Sequence, residues 1–298
     1  MKYLDKEISL KECLEKEWII TNGIGGYASS TIIGANTRKY HGLLIAPLMP
    51  PARRNLILSK IDESINIKGI EYPIYTNICK NYISEGFKFQ EKFEKHYIPE
   101  FTYKVKDIII QKKICMQYRK NTVCIVYKIT NGKDKALLSL TPIINFRDFH
   151  SINKNQINVV QEINEDKLKL IVNNINDKPI YIKISEGKYE KHYNDEFRNM
   201  YYIEEEKRGF DSEENLSVPG TFKIELNPRE EKEISIICSL EKDIDEINAK
   251  DIIKNEKERL ENIVYNSNLT YKREKDTLKI IEEKKFIKDL IISSDNFV

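Results

Sequence analysis

From Trp18 to about Leu240 the chain is a succession of short apolar runs broken by turn residues. The clearest is NTVCIVYKIT, Asn121 to Thr130, in which Val123, Ile125, Tyr127 and Ile129 share one face and Asn131-Gly132 ends the run. KDIIIQKKICMQY, KALLSLTPII, KLKLIVN, PIYIKI, TFKIEL and KEISIICSL are further strand candidates. No helical crossover separates them, so the pattern predicts a mainly β protein, a large antiparallel β-sandwich and not a parallel α/β sheet. YEKHYNDEFRNM and NEDKLK read as surface loops. After Leu240 the period changes. KDIDEINAKDIIKNEKERLENIVYNSN places Ile253, Leu260 and Ile263 at helical spacing, and TLKIIEEKKFIKDLIISSDNFV does the same with Ile280, Ile287 and Leu290 or Ile291. The second of these C-terminal helices reaches the last residue without a C-cap glycine, which reads as a helix cut short.

One stretch interrupts this pattern: EWIITNGIGGYASSTIIGANTRKYHGLLIAPLMPP, Glu17 to Pro51. Gly23, Gly25 and Ala28 satisfy the G-x-G-x-x-G/A dinucleotide fingerprint, which works only between a strand and an immediately following helix. Here the followers are β-branched and interrupted by Gly34, which is poor helix material, and no acidic residue stands where a ribose would need one. Gly23, Gly25 and Gly26 are therefore expected to form a structural turn between two strands.

Lys+Arg total 49 against Asp+Glu 47, a net charge of +2, which gives no electrostatic case for nucleic acid or an anionic membrane. The N-terminal residues carry charges throughout and have no apolar core of signal-peptide length, and no run approaches the ~20 apolar residues of a membrane span. The five cysteines, Cys13, Cys79, Cys115, Cys124 and Cys238, are scattered and form no C-x-x-C pair. A cytoplasmic protein with reduced thiols, no metal and no cofactor is expected.

Candidate chemistry lies in two polar clusters, TRKYHG (Thr37 to Gly42) and NFRDFH (Asn145 to His150). Arg38 and Arg147 offer planar forks to hydroxyls or carboxylates, and Tyr40 and Phe149 offer faces for a sugar ring. His41, Asp148 and His150 complete the set. Either these residues bind substrate or a neighbouring domain, or they pin strand ends. A third cluster, YYIEEEKRGFDSEENLSVPGTF, holds six carboxylates, Glu204, Glu205, Glu206, Asp211, Glu213 and Glu214, and reads as a solvated loop. No G-x-S-x-G, H-E-x-x-H or P-loop occurs, so no catalytic residue is assigned in this chain.

In this order and at these distances, the Glu17 motif, NTVCIVYKIT, LTPIINFRDFH and EEEKRGFDSEENLSVPGTF resemble the N-terminal domain of bacterial and archaeal glycogen-debranching enzymes of the amylo-α-1,6-glucosidase type. The resemblance covers about Trp18 to Leu240 and implies a supersandwich followed by linker helices and an (α/α)6 barrel that carries the catalytic carboxylates. On that basis residues 1–240 are expected to be the sandwich domain, and 241–298 the helical linker with the start of a truncated barrel. The implied partners are the missing barrel of the same polypeptide and an α-glucan such as glycogen. Two other readings stay open: a free-standing carbohydrate-binding sandwich, and a scaffold or dimerisation domain, since an apolar face on the last helix would favour a homodimer. The arginine, histidine and aspartate clusters are expected to converge on one edge of the sandwich, with Arg147 or Arg38 close to Asp148, on an exposed and polar surface.

Overall fold

The computed structural model describes residues 2–3, 9–164, 166–173, 175, 177–267 and 277–297. Two antiparallel sheets face each other. The nine-stranded sheet runs, in spatial order, Lys2–Tyr3, Gln90–Lys95, Pro99–Val105, Ile108–Met116, Thr122–Thr130, Glu231–Ser239, Ile180–Ile184, Lys167–Val172 and Val159–Asn164. The ten-stranded sheet runs Lys188–Lys191, Gly220–Leu226, Ala136–Asp148, Ala52–Ile67, Gly42–Met49, Tyr27–Thr31 and Glu17–Thr21, with Ile70–Pro73, Glu196–Tyr201 and Glu213–Ser217 attached. A two-stranded ribbon, Ile78–Cys79 with Tyr82–Ile83, forms a third sheet and packs Ile78 into the main core.

Alternation explains the layering. Val123, Ile125, Tyr127 and Ile129 all enter the main core, together with Ile110 and Ile114 from the neighbouring strand and Leu138 and Leu140 from the opposite sheet. The intervening Cys124 and Val126 are buried too, because the helix Ala249–Asn266 covers the outer face and packs Ala249 and Ile252 against them. In the centre Glu63 crosses from one sheet to the other, where its Oε1 accepts from Lys112 Nζ at 2.5 Å and from Tyr127 Oη at 2.8 Å. Such a pair offsets a large desolvation cost and fixes the register of the sheets more than it adds stability.

Several expectations need correction. Tyr189 to Met200 is not a loop: Lys188–Lys191 and Glu196–Tyr201 are strands at its two ends. They are short, and the second carries a register shift and a positive φ at Asn199, so period-two alternation is lost. NEDKLK spans a hairpin whose second strand starts at Lys167. In the helix Ala249–Asn266 the buried face is Ala249, Ile252, Glu256 and Leu260, while Ile253 and Ile263 are only half-buried. The stripe rotates because Glu256 turns inward to receive Arg259, whose Nη2 also reaches Asp295 at 2.5 Å in the helix Thr277–Asp295. On that last helix Ile292 is buried and Leu290 is 55% exposed, and the side chain of Ile280 lies outside the described residues.

The glycine turn joins Glu17–Thr21 to Tyr27–Thr31 as a hairpin. Asn22 closes it, its Oδ1 accepting from the backbone N–H of Ile24 at 3.2 Å and of Gly26 at 2.8 Å. Those amides are spent inside the turn and no helix follows, so the fingerprint has neither of its phosphate-binding parts. Gly25 sits at φ +94°, and a Cβ there would fall 2.7 Å from the carbonyl oxygen of Pro51. Gly25→Ala is expected to cost more than about 1 kcal/mol, read from the midpoint of urea unfolding. An unchanged midpoint would show that the turn relaxes freely.

Candidate functional site

The 37–41 loop leaves the hairpin through a tight turn in which Thr31 Oγ1 both accepts from Ala35 N (3.0 Å) and donates to Ala35 O (2.8 Å). A second turn follows, His41 N donating to Arg38 O at 3.0 Å. It folds the His41 ring back so that Nδ1 accepts from Thr37 N–H at 3.1 Å. The proton of neutral His41 therefore sits on Nε2, which lies 3.5 Å from Glu17 Oε1. Arg38 Nε donates to the same oxygen at 2.7 Å. Burial pushes the Glu17 carboxyl up, but the His41 and Arg38 contacts outweigh it and bring its pKa down to about 2.

The 145–150 segment ends the strand Ala136–Asp148 and meets this loop directly. Arg147 Nη2 donates to Lys39 O at 2.8 Å. Tyr40 Oη lies 3.2 Å from His150 Nδ1, and the Tyr40 ring meets Phe149 edge-on at 5.5 Å. Lys39 Nζ lies over Phe210 at 5.6 Å, and Phe210 is 60% exposed. Thus Arg38, Tyr40, His41, Arg147, Asp148 and His150 lie together on one edge, arranged in two layers. Tyr40, Phe149, His150, Phe210 and Lys39 form an accessible ledge, but Arg147 and His41 are buried beneath it, which corrects the expectation that the whole cluster is exposed.

The expected partner of Asp148 is not found. Asp148 Oδ1 accepts from the backbone N–H of His150 at 2.9 Å, and Arg38 goes to Glu17. Neighbouring strand residues point to opposite faces, so Arg147 turns inward as Asp148 turns out. The carboxylate it finds is Glu214. Arg147 grips Glu214 with both Nε and Nη2, the latter at 2.8 Å. Tyr202 Oη also donates to Glu214, as do Asn145 Nδ2 at 3.1 Å and Asn153 N at 3.0 Å. Burial tends to lower the Arg147 pKa, but the Glu214 charge raises it beyond the usual arginine value. Burial first, then Glu214, push the Tyr202 phenol well above its ordinary range.

Glu214 and Tyr202 carry this site, yet their sequence context reads as a solvated acidic run. Glu205 and Glu214 are each 1% exposed, which corrects that reading. The one-turn helix Ile203–Glu206 docks on the first loop, Glu204 N donating to Thr37 O at 3.0 Å. Two polar atoms buried there, Thr37 Oγ1 and Glu205 Oε1, have no hydrogen-bond partner among the described residues. Buried polar atoms are nearly always satisfied, so these mark a place for a water, a ligand hydroxyl or a partner group.

The chain is thus a two-sheet antiparallel sandwich with helices after it, and a buried arginine–glutamate clamp at one edge carries an aromatic ledge. Residues 16–233 match the family described as "Glycogen debranching enzyme N terminal", and the chain belongs to that family. No curated protein matches the chain in sequence. Among solved structures it is similar to a putative kojibiose phosphorylase from the human microbiome, at 10% identity and TM-score 0.36, over 92% of this chain and 31% of that one. It is also similar to a bacterial glucoamylase complexed with acarbose, at 13% identity and TM-score 0.37, over 94% of this chain and 35% of that one. The chain thus spans about a third of the length of these structures, and family membership rests on the family match alone. Among the described residues no helix is long and apolar enough to cross a membrane.

Two outcomes are expected here. Arg147→Ala leaves the Glu214 carboxylate buried without its counter-charge and should cost about 3–5 kcal/mol in urea unfolding; a loss under about 1 kcal/mol would mean that water replaces the guanidinium. Glu17 has a depressed pKa, so its contribution to stability is full above the ordinary 4.5 and is lost as pH falls toward about 2. The stability gap between the native chain and Glu17→Gln should therefore be widest above that window and close within it. A gap independent of pH would contradict the ion-pair origin.

Proposed function

We propose that the chain is the non-catalytic N-terminal domain of a glycogen-debranching enzyme of the amylo-α-1,6-glucosidase type, acting in glycogen and α-glucan breakdown. Residues 1–240 form its sandwich and 241–298 lead into an (α/α)6 catalytic barrel. The family match over residues 16–233 carries this reading. The free thiols of all five cysteines suit a cytoplasmic setting.

The ledge at residues 38–41 and 147–150 is the surface offered to the barrel and its glucan. Its chemistry supports contact more than proton transfer. Glu17 is held ionised, and Glu214 is saturated by donors. Glu17 is therefore not the raised-pKa acid that glycoside hydrolysis needs, and the donors around Glu214 occupy both of its oxygens. Tyr40 and Phe210 instead present rings, and the orphaned Thr37 Oγ1 and Glu205 Oε1 suit a hydroxyl-bearing partner.

In the full-length enzyme, Tyr40→Ala is expected to lower kcat/KM on phosphorylase limit dextrin about tenfold, equal to one lost contact of roughly 1.4 kcal/mol, with the unfolding midpoint unchanged. The isolated chain should release no glucose from the same substrate. Turnover by the isolated chain, or a Tyr40→Ala enzyme with unchanged kcat/KM and unchanged domain association, would refute the proposal.

A further inference from the structure

A groove of about 570 Å³ opens on the outer face of the ten-stranded sheet, within the ~300–1,000 Å³ range of small-molecule sites. It starts at Ile143, roughly 13 Å from Arg147 along the same strand, Ala136–Asp148. Leu138 and Leu140 of that strand face the core, so Ser139 and Thr141 face outward and form the floor with Thr221 of the adjoining strand. The 74–84 segment makes one wall with Tyr75 and Tyr82; His192, Asp195 and Phe197 make the other.

We infer that this groove binds an oligosaccharide, and, resting on the function proposed above, that the oligosaccharide is an α-glucan chain. Three observations select that class. Between Leu137 and Ile143 the floor offers hydroxyls that exchange donor and acceptor roles: Thr141 Oγ1 and Thr221 Oγ1 lie 2.8 Å apart and either can donate. Sugar hydroxyls need partners of that kind. The charged groups disfavour anions, since Asp62, Glu71, Glu190 and Asp195 line the groove and its lysine, Lys223, is paired with Glu190. A phosphorylated or sulfated ligand would meet a surplus of carboxylates, whereas a neutral polyol can donate to them. Finally, an aromatic side chain and a buried acceptor stand ready. Tyr82 is 63% exposed on the rim. Asp62 Oδ1 is buried and paired with Lys60 Nζ at 3.2 Å, with no further partner among the described residues. Its other oxygen is already held by Asn77 Nδ2 at 2.5 Å.

The test titrates maltoheptaose into the 298-residue chain by calorimetry. Tyr82→Ala and Thr141→Val should each weaken binding about fivefold or more, the size of a lost stacking or hydrogen-bonding contact. Tyr265→Ala, on an exposed helix position, should leave it unchanged. Tyr82 is exposed enough for its substitution to spare the fold, and Thr141→Val is isosteric, which keeps the test open if one variant misfolds. No binding at millimolar maltoheptaose and cellohexaose, or binding that neither groove substitution weakens while Tyr40→Ala abolishes it, would overturn the groove. Binding of cellohexaose alone, weakened by Tyr82→Ala, would uphold the groove and remove the glucan reading.

Discussion

The carboxylate of Glu214 is the constraint on which the edge at residues 37–41 and 145–150 depends. A charge that deep in the fold is tolerated only with full compensation, and here it receives donors from four residues: Arg147, Tyr202, Asn145 and Asn153. The donors come from three parts of the chain, Asn145 and Arg147 sharing one strand end, so satisfying one anion positions that strand end, a loop and the start of a helical turn together. Arg147 then spends its remaining Nη2 donor on Lys39 O, which extends the constraint to the 37–41 loop. Tyr40 and His150 meet because that chain of bonds leaves their backbones little freedom. The ledge is in this sense the outer surface of a buried ion pair.

A second buried pair, Lys112 with Glu63, serves a different purpose. It lies between the sheets, where slippage of one sheet over the other would leave both ions unpaired. Tyr127, on the strand beside Lys112, adds a second donor to Glu63. One buried charge thus specifies how the layers face, and the other how the edge is finished. Neither is needed to drive burial, which the Ile-, Leu- and Val-rich main core supplies.

Much of this was legible in the sequence. Strands such as Thr122–Thr130 and Ile108–Met116 announce themselves because antiparallel pairing keeps a period of two, and the Arg38 and Arg147 clusters stand out as polar groups beside apolar runs. Glu214 was not legible as the partner of Arg147. It lies in an acidic segment whose neighbours, such as Asp211 and Glu213, are solvated, and one-dimensional charge density cannot show which member turns inward. Lys188–Lys191 and Glu196–Tyr201 were hidden for a related reason: positive φ at Asn194 and Asn199 breaks the alternation that marks a strand. Residues that obey local periodicity are readable, and those set by a distant partner are not.

Coverage of the two outer faces then determines where a ligand can reach the sandwich. The outer face of the nine-stranded sheet is occupied by the helix Ala249–Asn266, which seals Cys115, Cys124 and Ile237. On the ten-stranded sheet, the 196–218 segment covers Ile45, Leu56 and Ile143 with Met200, Tyr202 and Leu216. That cover ends before Thr141 and Ser139, which remain open as the floor of the groove, and it carries Tyr202 and Glu214 to the ledge at its other side. One folded-back segment therefore separates two polar surfaces and buries the apolar patch between them. A long flexible chain crossing this face would meet hydroxyls and aromatic rings at both ends of its path and a closed surface in the middle. The placement of polar and apolar residues along Ala136–Asp148 already contains that division, with Ser139 and Thr141 at one end, Ile143 in the middle and Arg147 at the other.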